Sequence, residues 1–142
     1  MNALFDHIAD AYTPLLLAFA LGVAMVKWMN GQRWFWLRLV ASTLLVYGLM
    51  FADNHWHWWL AMGLDYSTHT AAAIALTLFI GIGLRNRTVW ILLATSLLAY
   101  GELMFYLGYH TWLDMGVTAA VVGVGLTMIY RVSFHRAKVE QL

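Results

Sequence analysis

Long apolar stretches separated by short polar clusters run the length of the chain. The first, Tyr12 to Met29, follows Asp10, a good helix N-cap, and carries Pro14 where a first-turn proline loses nothing. It ends at Lys27 and the Asn30-Gly31 turn. The second, Trp34 to Ala52, opens on Trp34, Trp36 and Arg38, side chains suited to the headgroup level, and is closed by Asp53. The mixed aromatic and polar segment from Asp53 to Trp59 reads as interfacial, with residues 60–66 at the same surface. Three further apolar runs follow: Thr68 to Leu84, stopped by Arg85-Asn86-Arg87; Thr88 to Phe105; and a last run through Asp114 to Tyr130. A membrane-crossing helix needs about 20 mostly apolar residues. The pattern therefore predicts an all-α membrane protein of five transmembrane helices, at about 12–29, 34–52, 68–84, 88–105 and 112–130, in a single domain over 1–142.

Composition strengthens this picture. Of 142 residues, 63% are hydrophobic and 11% charged, too apolar for an ordinary soluble domain. The net charge of +1 points to neither nucleic acid nor an acidic partner. The absence of cysteine excludes disulfides, thiolate ligands and thiolate nucleophiles. The N-terminus has Asp6 and Asp10 in place of a basic n-region, so the first apolar run reads as retained.

The distribution of charge orients the bundle. Lys27, Arg33, Arg38, Arg85, Arg87, Arg131, Arg136 and Lys138 all fall at one end of the five runs. Because cytoplasmic loops are enriched in Lys and Arg, this predicts an N-terminus outside and a C-terminus in the cytoplasm. The outer end then collects Asp6, His7, Asp10, Asp53, His55, His57, Asp65, His69, Glu102, His110 and Asp114, with His135 and Glu140 left inside. The expected location is a plasma membrane, in a bacterium the inner membrane, with the outer cluster facing the periplasm or exterior.

Three outer segments hold Asp and His four residues apart: Asp53 with His57, Asp65 with His69, and His110 with Asp114. On a helix this spacing puts each pair on one face. A carboxylate beside an imidazole fixes its tautomer, as a nucleophile, an acid or base, or a metal ligand requires. Asp53 and His57, among tryptophans, read as interfacial polar residues. The other two pairs sit where helices enter the membrane, a costly place for ionisable groups unless they face protein or a cavity. The start of the third helix, near Ser67 and His69, also directs its positive dipole end at that site.

Tyr66-Ser67-Thr68-His69-Thr70-Ala71-Ala72 resembles the Pro-Ser-Gly-His motif of the type-2 phosphatidic acid phosphatase family. Forty-one positions after His69, the segment from Tyr106 to Gly116, with His110 followed four residues on by Asp114, is similar to the family's last motif. The resemblance implies a membrane phosphatase acting through a phosphohistidine on a lipid phosphate or polyprenyl pyrophosphate of the outer leaflet. It assigns His110 as nucleophile, Asp114 as its orienting partner and His69 as the acid that protonates the leaving oxygen. Ser67 and Thr68 would hold phosphate oxygens, and no cofactor is expected.

The outer end holds no Arg or Lys to stabilise a phosphoryl group, so protonated histidines or a metal would have to take that part. A second reading is therefore a metal-binding hydrolase. It would hold a divalent zinc, iron or manganese ion through His57, Asp65, His69, Glu102, His110 and Asp114. A third is a catalytically inactive phosphatase-like scaffold that binds lipid or serves as a subunit. Ala71-Ala72-Ala73 and Gly116 to Gly125 offer small-residue faces for packing within the chain, in a homo-oligomer or against another membrane protein.

Overall fold

The computed structural model describes residues 2–139, with side chains from 3 to 131. It consists of six α-helices: α1 Asn2–Met29, α2 Phe35–Trp56, α3 Trp58–Ala61, α4 Thr68–Leu84, α5 Arg87–Tyr106 and α6 Trp112–Val139. Ala3–Met29, Phe35–Trp56, Arg87–Tyr106 and Trp112–Arg131 are each long and apolar enough to cross a membrane; Thr68–Leu84 is apolar but has only 17 residues. The side chains of His135, Arg136 and Lys138, and Glu140 altogether, lie outside the described residues.

The shortest of the five long helices is the central one. α4 packs against α1, α2, α5 and α6, and its Ala71, Ala73, Phe79 and Ile80 have no exposed surface. Small residues make this possible. A Cβ on Gly83 would lie 2.5 Å from Val23 Cγ1 of α1, and one on Gly125 of α6 would lie 2.7 Å from Leu45 Cδ2 of α2. A side chain at Gly83 would have to displace Val23, whereas at Gly125 the flexible end of Leu45 would have to move aside, so both glycines ease close helix approach. The outer helices turn Leu15, Leu44, Leu98 and Val124 away from the core, as helices facing hydrocarbon do.

Three helix boundaries differ from the sequence expectation, among them the end of α6, which runs on from Tyr130 to Val139. α1 begins at Asn2, so Asp10 is not its N-cap and Pro14 lies inside the helix. Tertiary contacts carry the extra turns. Phe5 packs edge-on against Tyr106, Asp6 accepts a 3.0 Å hydrogen bond from the Tyr109 hydroxyl, and Ala9 is buried. The proline costs one ladder bond, because it has no N–H to give the Asp10 carbonyl. α2 runs past Asp53 to Trp56 and stops at His57, which takes the left-handed conformation with φ 55°.

The chain folds as an up-and-down bundle, which gathers the α1–α2 and α4–α5 connections at a basic end with Lys27, Arg33, Arg85 and Arg87. The α2–α4 and α5–α6 connections meet at the opposite, acidic end.

Candidate functional site

At the acidic end the segments before α4 and α6 are tied together by polar contacts. Thr111 and Asp114 form a reciprocal cap on α6: Asp114 N–H donates to Thr111 Oγ1 at 3.2 Å, and Thr111 N–H donates to Asp114 Oδ2 at 2.8 Å. The Thr111 hydroxyl adds a third bond to Oδ2 at 2.7 Å. The other carboxylate oxygen, Oδ1, accepts the Asp65 N–H at 2.9 Å. Asp114 thus caps its own helix and holds the strand of chain that leads into α4.

Ser67 supplies the matching cap on α4. Its Oγ accepts the Thr70 N–H at 3.3 Å and donates to Thr70 Oγ1 at 2.8 Å, while its own N–H donates to Thr118 Oγ1 of α6 at 3.2 Å. Ser67 and Thr118 have no exposed surface. A phosphate can reach the Ser67 hydroxyl only if that cap opens. Nearby, the buried Tyr66 hydroxyl donates to the Val46 carbonyl at 2.9 Å. Burial, with a smaller push from Asp53, raises its pKa to about 12, so it stays a neutral donor.

His110 sits between these two starts. Its side chain is 10% exposed, and its Nδ1 lies 3.3 Å from Oδ2 of Asp65, which is 75% exposed. The two are at ion-pair distance without the alignment of a hydrogen bond. Burial lowers the His110 pKa below the ordinary 6.5, Asp65 and Asp114 pull it back up, and His69 lowers it further. Burial wins, so the imidazole is neutral near pH 7.

Linkage then gives a pH dependence. Because the folded pKa lies below the unfolded one, the unfolded chain binds more protons as pH falls through 6.5. The stability associated with His110 is complete above that value and is lost on acidification toward the folded pKa. Unfolding midpoints measured between about pH 8 and pH 5 should fall on the acid side. His110→Gln should flatten that fall.

His69, in the first turn of α4, is exposed and lines a different feature, a cleft of about 350 Å³ between α1, α2 and α4. Asp10, Thr68 and His69 stand toward its acidic end, and Leu17, Leu39, Val46 and Leu76 form apolar walls. His69 and His110 therefore face different helix pairs, yet are near enough for their charges to interact.

The remaining candidates disperse. Asp53 accepts the Trp59 N–H at 2.8 Å, a capping role that suits the interfacial reading, and His57 ends α2 in the open. Glu102 is exposed on α5. Among the described residues no three His, Asp or Glu side chains come together as a metal-ligand set. His57, Asp65, His69, Glu102, His110 and Asp114 do not form one centre here.

No protein-family model matches the chain, and neither does any curated protein sequence or solved structure.

Asp65 as the carboxylate beside His110 was not anticipated; spacing alone paired it with His69. Thr118 and Tyr66 carried no signal. The Thr111-x-x-Asp114 cap, by contrast, has a recognisable sequence form, a threonine followed three residues later by an acid at a helix start.

Proposed function

We propose that the chain crosses a membrane five times and hydrolyses a lipid phosphate or polyprenyl pyrophosphate at its acidic end, through a phosphohistidine on His110. α4 serves as the fifth span: 17 residues rise about 25 Å, at the short end of what crosses a bilayer. The Lys and Arg residues at the opposite end support a cytoplasmic location for that end, and with it a site on the outer face of the plasma membrane.

One observation carries this reading. A neutral, largely buried imidazole stands beside a carboxylate, and the contacts of Asp65 with Asp114 and of Ser67 with Thr118 hold it next to the helix start that bears His69. With its Nδ1–H turned to Asp65, His110 keeps the Nε2 lone pair for attack on phosphorus. The P–O bond to the lipid breaks as the N–P bond forms, and His69 gives its proton to the departing oxygen. Water then displaces the phosphoryl group from nitrogen, releasing inorganic phosphate and restoring the imidazole. The apolar cleft that begins at His69 gives the lipid chain a place to lie.

Asp114 and Ser67 act in this scheme as positioning residues, since each is committed to a helix cap. The same commitment favours a second reading, lipid binding without turnover. The Ser67 hydroxyl that would meet phosphate is engaged, and among the described residues no Arg or Lys stands at that end.

Phosphate release by the purified protein from a diacylglycerol phosphate and a polyprenyl pyrophosphate, with and without chelator, separates the readings. Release that chelator does not diminish supports the phosphohistidine route. Chelator-sensitive release returns the site to a metal, and no release on either lipid leaves the binding reading. A reporter fused after Leu142 should score as cytoplasmic; an external signal would overturn the placement of the site.

A further inference from the structure

A second polar cluster lies toward the opposite end of the bundle, between α2 and α6. Arg38, one turn into α2, is 5% exposed, and Ser42, the next turn up, is 2% exposed. The Arg38 guanidinium lies 4.0 Å from the centre of the Trp34 ring and 5.1 Å from that of Tyr130 on α6. These faces offset part of the cost of burying a cation. They supply no acceptor for its N–H groups. Arg38 Nε, Ser42 Oγ and Tyr130 Oη are all buried without a hydrogen-bond partner, and among the described residues no carboxylate pairs with Arg38. Tyr130 and Ser42 are neighbours whose hydroxyls miss hydrogen-bond geometry, and Arg85 is close enough to add its positive charge.

Among the described residues, a buried guanidinium Nε without an acceptor, beside two neighbouring hydroxyls that have no partner beyond each other, is a costly arrangement for a protein interior. One ligand type resolves all three, an anion with several acceptor oxygens, and the planar guanidinium matches a phosphate in particular. We infer that Arg38, Ser42 and Tyr130 form a phosphate-binding site at the basic end, occupied by the phosphate of a lipid headgroup or by free phosphate. Trp34, at the start of the same helix, suits the headgroup depth at which a lipid phosphate would arrive. The site lies toward the far end of the bundle from His110, with Ser42 also lining the cleft between α1, α2 and α4, and does not rest on the phosphatase reading.

The test uses the whole chain in dodecyl maltoside, a detergent without phosphate, titrated with phosphatidylglycerol in one arm and inorganic phosphate in the other. Phosphatidylglycerol is a phosphodiester, so it is not a phosphomonoester substrate for the acidic end. The thermal midpoint of the wild-type protein should rise with one of the two probes, and which one identifies the source. Arg38→Gln should weaken that response at least about tenfold, the loss expected for a charge-assisted hydrogen bond. Should Arg38→Gln fail to fold, the pair Ser42→Ala with Tyr130→Phe keeps the guanidinium and removes both hydroxyls, and should still weaken the response. No response to either probe, or an equal response in wild type and variants, would overturn the site.

Discussion

His110→Ala should lower phosphate release from the lipid substrate by about a thousandfold or more, because it removes the atom that carries the phosphoryl group. The imidazole occupies a buried place between two helix starts. Asp65→Asn should cost less, about ten- to a hundredfold, since it removes the group that orients Nδ1 and leaves the nucleophile. Asp65 is exposed, so this loss should come with little change in the unfolding midpoint. A fall for Asp65→Asn as deep as for His110→Ala would move Asp65 from an orienting to a reacting role.

The largest effect on stability should come from Asp114→Ala. Its carboxylate accepts three hydrogen bonds, two from Thr111 and one from the Asp65 backbone, and it is 7% exposed. Removing it uncaps α6 and releases the segment leading to α4, a loss of about 2–4 kcal/mol. Asp114→Asn retains an acceptor oxygen and should lose about half as much. Unfolding midpoints in detergent, read beside activity, separate the roles. If Asp114 acts through the cap, activity and midpoint should fall together. An Asp114→Asn protein of unchanged midpoint and abolished activity would instead make Asp114 the partner of His110.

The architecture was legible to the extent that hydrophobicity carries it. The run from Thr68 to Leu84 coincides with α4, and the other four long helices follow their apolar stretches, since a helix that faces hydrocarbon must be apolar along its length. The ends were less legible. Asp10 and Pro14 together look like a helix start, but Phe5, Asp6 and Ala9 continue the helix through packing on distant residues, which no local signal announces. The centrality of α4 has a trace in its alanines and glycines.

At the candidate site, the spacing of His110 and Asp114 suggested a direct pair. The carboxylate actually beside the imidazole comes from a residue 45 positions earlier, Asp65. Asp114 is committed to Thr111 and to a backbone N–H. Intervals of four residues report helix faces, but His110 precedes α6, where that geometry does not apply. The buried Arg38 was read as an interfacial side chain for a related reason. Its depth depends on Tyr130 of α6 lying across it, a contact between residues far apart in the chain.

The most direct test of the account is to trap the intermediate. The protein is mixed with substrate, quenched at alkaline pH where phosphohistidine survives, and mapped by mass spectrometry. A phosphoryl group on His110, absent from His110→Ala and enriched when His69→Ala slows the reaction, is the predicted result. Phosphate release with no phosphorylated His110 at any time point would contradict the account.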